Sequence, residues 1–200
     1  MPGRSFGLML AVFVIAGGSL AAQQTAEDKR TIDDIRRAVL RLSSYGVFDF
    51  VTVRYEKGTA TIGGFVYSPK LKRDVVNAAR RVSRVDDIVD QIEELPVSQH
   101  DDDIRWRTFD QIYKDSVLSR YAPGGGLSSF DDQFDLRRFP GTQPFGSYPI
   151  HIIVNRGHIL LVGSVDSTFD KTIAGVRARE VPGAFGVENA LFVASGRTGR

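Results

Sequence analysis

The sequence predicts an α+β protein of two tandem α-β-β-α-β modules, each with two helices packed on a small three-stranded mixed sheet. Three observations carry that expectation. The stretch Val53 to Val66, VRYEKGTATIGGFV, returns as Ile152 to Val165, IIVNRGHILLVGSV. In both copies apolar residues alternate at period two on either side of a Lys-Gly or Arg-Gly turn, the pattern of a β-hairpin. Each hairpin is then followed by an apolar stripe at helical spacing and by one more short strand pattern. The offset is constant: Gly157 follows Gly58, and Gly163 follows Gly64, by the same 99 residues. A repeat of that length means two copies of one supersecondary unit.

Composition narrows the class. A module under about 100 residues has only a marginal core, so packing of the two modules on each other is expected. Lys plus Arg number 26 against 24 Asp plus Glu, a near-balance that gives nucleic-acid binding no support. Cysteine is absent, which excludes disulfides, thiolate metal sites and cysteine nucleophiles in this chain.

Residues 1–22 have the layout of a secretory signal peptide. Arg4 is followed by the apolar run Leu8 to Ala16 and by small residues at Ser19-Leu20-Ala21. Cleavage near Ala21 or Ala22 would leave an exported, periplasmic protein. An uncleaved N-terminal anchor is the competing reading, although the run is short of the about 20 residues that a comfortable span requires. No other stretch approaches spanning length, so no transmembrane span is expected in the mature chain.

The first module is expected over 30–96. Gln23 to Arg30 reads as a frayed polar lead, and Thr31 as the N-cap of a helix ending near Ser43, with Ile32, Ile35, Val39 and Leu42 at helical spacing. Tyr45-Gly46 breaks it. In the hairpin, Gly58 supplies the positive φ of a tight turn, while Gly64 sits mid-strand, where a missing side chain admits close approach of a backbone or helix. After Ser68-Pro69 a second helix spans about Lys70 to Arg84, its buried stripe formed by Leu71, Val75, Ala78, Ala79 and Val82. Ile88 to Leu95 is the third strand.

A linker at 97–103 leads to the second module, 104–194, with Asp101 to Asp103 capping a helix from Ile104 to Tyr121. Residues 122–149 are inserted before the second hairpin, whose Gly157 and Gly163 repeat the roles of Gly58 and Gly64. A helix over about Phe169 to Val181 and a strand from Val187 to Val193 complete the unit, and 195–200 is a loose tail.

Two surfaces stand out as candidate sites. Lys70, Arg73, Arg80, Arg81 and Arg84 lie off the buried stripe of their helix. Such a cluster either docks weakly on anionic lipid, at about 1 kcal/mol per charge, or simply solvates the helix. The insertion carries Phe130, Phe134, Phe139, Phe145 and Tyr148, which either grip a membrane or partner or fold over a sheet edge or the seam between modules. Elsewhere the bland reading prevails. His100-Asp101-Asp102-Asp103 marks a helix start rather than a metal site. His151 and His158 are expected at the surface. Ser164 lacks a nucleophile's strand-turn-helix setting, and Trp106 suits a core or inter-module position. No catalytic, metal or cofactor site emerges.

With those pieces in hand, the chain resembles the BON domain family. The likeness covers about Thr31 to Val193. It rests on the turn glycines, TIGGFV and LLVGSV, Ser68 to Lys72 and Ser167 to Lys171, the Ala-rich helices, and the closing strands. The second copy fits best, at Asn155-x-Gly157, Val162-Gly163-Ser164-Val165, Asp170-Lys171, and Pro182-Gly183 through Asn189-x-Leu191. The first departs at Arg84, where the pattern carries glycine, and at Asp90, where it favours asparagine. The resemblance implies a non-enzymatic protein of the bacterial envelope, associated with phospholipid surfaces, envelope or osmotic stress and envelope machines, with no catalytic residues or cofactors. Two functions are therefore expected as alternatives: reversible docking on anionic phospholipid, or a protein or cell-wall adaptor that uses the aromatic loop.

Overall fold

The computed structural model describes residues 17–123 and 143–194, with side chains from residue 25. The first module comprises α1 (Gly17–Leu40), β1 (Phe50–Glu56), β2 (Thr59–Val66), α2 (Pro69–Arg80) and β3 (Asp87–Glu94). The second comprises α3 (Gln99–Tyr113), a short 3-10 turn (Leu118–Tyr121), β4 (Ile150–Asn155), β5 (His158–Val165), α4 (Thr168–Arg179), β6 (Gly186–Asn189) and β7 (Phe192–Val193). In each sheet the return strand of the hairpin is central. β2 pairs antiparallel with β1 and parallel with β3. β5 pairs antiparallel with β4 and parallel with β6 and β7.

The alternation read from the sequence becomes the core. Ala60, Ile62 and Val66 on β2 are buried against Ile35 and Val39 of α1 and Leu71, Val75 and Ala79 of α2. Ile159, Leu161 and Val165 on β5 meet Ile104, Phe109 and Ile112 of α3 and Ala174 and Ala178 of α4. Both hairpin turns have positive φ at two consecutive residues, 49° and 86° at Lys57-Gly58 and 51° and 79° at Arg156-Gly157. This is the twist that a two-residue hairpin requires.

Several boundaries differ from expectation. Thr31 is not an N-cap: α1 begins at Gly17, and the Thr31 hydroxyl donates to the Glu27 carbonyl one turn back. Between Gly18 and Ser43 no glycine or proline interrupts a run of good helix formers, so nothing stops the helix at residue 31. Asp101 to Asp103 are not caps either, because Ser98 accepts the Asp101 N–H and α3 starts inside the expected linker. That helix ends at Tyr113 rather than Tyr121, since the Asp115 carboxylate accepts the N–H groups of Val117 and Leu118 and starts a new turn.

The last strand is split. Asn189 donates to the Lys171 carbonyl and accepts the Leu191 N–H, which breaks the ladder between β6 and β7. Asp90 stands 99 residues earlier and accepts the Ile92 N–H in the same way. A carboxylate cannot make the donor bond, and Lys72, the counterpart of Lys171, comes within 3.7 Å of Asp90 instead.

α2 also stops early, at Arg80, and Arg84 lies beyond it in the turn to β3 with φ 75°. Gly183, its counterpart, has φ 88°. The departure from glycine therefore sits on a left-handed residue. Arg84→Gly is expected to stabilise the protein by about 0.5 to 1 kcal/mol: strain relief of about 1 to 2 exceeds the added chain entropy and the loss of an exposed pair with Glu27. A urea midpoint that falls would contradict that reading of the turn.

The modules touch through the sheet faces that their helices leave uncovered. Phe50 and Phe65 of the first pack with Ile153, Leu160 and Val162 of the second, joined by Leu95. Val47, Phe48 and Tyr67 extend into the core of the second module.

Candidate functional site

α2 is held by Ser68, whose hydroxyl accepts the Leu71 N–H, and by Pro69 at its first position. With Leu71, Val75, Ala78 and Ala79 turned to the core, Lys70, Arg73, Arg80 and Arg81 are exposed. Lys70 pairs with Asp74 at 2.6 Å, and Arg84, off the helix, lies 3.6 Å from Glu27. Arg73, Arg80 and Arg81 have no ion-pair partner among the described residues. Three of the five cations thus remain as uncompensated charge, two on the solvated side of α2 and one at its C-terminal cap. The corresponding helix α4 differs: Arg177 is tied to Asp115 and Glu180.

The aromatic insertion divides. Phe130, Phe134 and Phe139 lie outside the described residues. Phe145 is exposed, and its backbone bridges to Gly46 of the first module. Tyr148 is buried among Phe109 and Tyr113, so it belongs to the core and is withdrawn from the surface set. Its ring is large enough to stabilise the second module by burial, and a ring in the core cannot grip a partner.

The end of the insertion forms a clamp between modules that the sequence did not announce. Gln143 donates to the Asp49 carboxylate and to the Ser44 carbonyl, while its own oxygen accepts the Phe48 N–H. Asp49 is fully buried and also accepts from Gly46 and Tyr67. Burial pushes its carboxyl up to about 6, against the lowering effect of those hydrogen bonds. His151 is not at the surface: it is buried between Tyr45 and Phe50, and burial lowers its imidazole to about 4. His158 is exposed and pairs in register with Asn155, not His151.

The acidic run at the start of α3 is distributed over separate contacts. His100 lies against Phe185. Asp101 is buried and accepts the N–H groups of Arg156 and Gly157, which fixes the second hairpin turn. Asp102 pairs with Arg105 and accepts the Tyr67 hydroxyl. Trp106 packs edge-on against Phe48, placing it at the seam between modules. Among the described residues, no group of three or more His, Asp or Glu side chains is placed to hold a metal ion. No helix among them is long and apolar enough to cross a membrane.

Comparison with known proteins adds family membership. Two solved structures of CdsD, a structural protein of the type III secretion system of Chlamydia trachomatis, are 14% identical to this chain. They cover 83% and 82% of it and 94% and 96% of their own lengths, with TM-scores of 0.27 and 0.26. At those scores the likeness carries no argument. No curated protein matches the chain. The model of the BON domain matches residues 23–96 and again 136–195, one match on each module. Matched over more than half its length, and twice, the chain belongs to the BON domain family.

Proposed function

We propose that this protein is a non-enzymatic, exported envelope protein that docks reversibly on anionic phospholipid through the exposed face of α2. One observation carries the reading: Arg73 and Arg80 on α2 and Arg81, which caps it, are exposed with no carboxylate partner among the described residues. Near an anionic surface each cation contributes about 1 kcal/mol, so the three together give about 3 kcal/mol, a surface enrichment on the order of a hundredfold. Attraction of that size is reversible, and salt weakens it within a Debye length of about 8 to 10 Å. Membership of the BON domain family, whose members are generally associated with envelope and membrane binding, agrees with it. The signal-like residues 1–22 would place the protein on the periplasmic side.

The test is charge reversal. Arg80→Glu with Arg81→Glu removes two favourable charges and adds two unfavourable ones, so binding to anionic vesicles is expected to fall by at least about a hundredfold. Arg179→Glu, at the position in α4 that corresponds to Arg80, should change binding little. Equal losses from both variants would contradict an α2 docking face.

A further inference from the structure

The sheet faces turned away from the helices pack on each other through Phe50, Phe65, Ile153 and Val162, and beside Phe65 they leave a cleft of about 410 Å³. That is room for a small ligand. Residues alternate along β5, so with Ile159 and Leu161 in the core, His158 and Leu160 face the cleft. The register sets Ile153, Leu160 and Glu188 in one row across β4, β5 and β6, an apolar floor that ends in a carboxylate. Asn155 and His158 stand in the next row, where Gly186 adds no side chain. Phe65 of the first module closes the other side.

Two features of this lining select an occupant. At the 99-residue offset the first module carries Arg54 and Thr61 in place of Ile153 and Leu160. Packing between the modules accounts for Ile153, which is buried, but Leu160 and Phe65 are left partly exposed. An apolar group in the cleft would cover them. The second feature is charge. No Lys or Arg lines the cleft, and Glu188 is exposed with no ion-pair partner among the described residues. Asn155 adds an acceptor, since its Oδ1 is buried with no hydrogen-bond partner among the described residues. Because Asn155 lines the cleft and χ2 of an asparagine is a broad torsion, an ammonium there can supply the missing donor. An anionic head would face Glu188 with no cation to offset it.

We propose that this cleft binds a small amphiphilic amine, its apolar body on Phe65, Ile153 and Leu160 and its ammonium held by Glu188 and Asn155. The cleft shares no residue with the basic face of α2 and is opposite to it in charge, so loss of either activity leaves the other intact.

Three probes with one apolar body separate the contributions: phenylbutylamine, phenylbutanol and phenylbutyrate. Titrated into residues 23–200 and followed by amide NMR, the amine is expected to shift residues 153–160 and 186–188 with a dissociation constant of about 1 mM or lower. It should bind about threefold tighter than the alcohol and about tenfold tighter than the acid. Glu188→Gln, at an exposed position, should remove the preference for amine over alcohol and leave alcohol binding unchanged. Leu160→Thr, which installs the residue of the first module, should weaken amine and alcohol alike by about tenfold. If the Leu160 variant does not fold, Glu188→Gln decides alone. No saturable shift at the cleft with the amine, acid bound as tightly as amine, or an amine preference that survives Glu188→Gln would overturn the proposal. So would displacement of the amine by a short-chain anionic phospholipid, which would assign the cleft to lipid.

Discussion

Gly163→Ala is expected to destabilise the second module by about 4 kcal/mol or more, and Gly64→Ala the first by a similar amount. A Cβ at Gly163 would lie 2.0 Å from the Pro149 carbonyl oxygen, and at Gly64 2.0 Å from that of Phe50, with φ at 118° and 108°. The obstacle in each case is the backbone at the start of the partner strand, and in the second module the Ser164 N–H bonds that same Pro149 oxygen. Neither element can retreat without breaking the ladder. Gly146 supplies the control. Its φ is 124°, yet a Cβ there would meet nothing closer than 3.9 Å. Gly146→Ala should therefore cost only the backbone strain, about 1 to 3 kcal/mol. Urea unfolding of the three variants separates clash from strain, and equal losses at 146 and 163 would refute the close-approach account.

Arg105→Leu is expected to cost about 3 to 5 kcal/mol, a fall in melting temperature on the order of 10 °C. Arg105 is fully buried; it pairs with Asp102, donates to the Val154 carbonyl at 2.6 Å, and lies 4.8 Å from the ring centre of Tyr67. It therefore ties α3 to β4 and the second module to the first. Removing it leaves Asp102 and a strand carbonyl without their cation, and that loss, not the net worth of the pair, sets the size of the effect. Arg105→Leu combined with Asp102→Asn should recover part of the stability. Thermal unfolding followed by circular dichroism checks both, and a single-variant change below about 1 kcal/mol would mean that the buried guanidinium is not a clamp.

Much of the fold was legible because it is written in local periodicity. The inward faces of β2 and β5, the stripe of α2 and the two turn glycines all follow from spacing within a dozen residues. Helix limits were less legible. The start of α1 has no stop signal, and the end of α3 depends on Asp115, which reads as an ordinary helix residue until its carboxylate is seen to bond Val117 and Leu118.

Contacts between modules were invisible in principle. Gln143 and Phe48 are 95 residues apart, and nothing in either neighbourhood marks the other. For the candidate surfaces, the basic face of α2 could be read directly, but which cations are neutralised could not, since the Glu27 that approaches Arg84 comes from another helix. The cleft between the modules had half a signal. Setting the copies side by side places Ile153 against Arg54 and Leu160 against Thr61, but the Phe65 wall comes from the other module and marks nothing in the sequence.

The most direct test of the docking account is co-sedimentation of residues 23–200 with neutral and with anionic phospholipid vesicles, each at low and high salt. The protein is expected to pellet with anionic vesicles at low salt, to be released as salt rises, and to ignore neutral vesicles throughout. Failure to sediment with anionic vesicles at low salt, or binding that neutral lipid and high salt leave intact, would contradict an electrostatic docking face on α2.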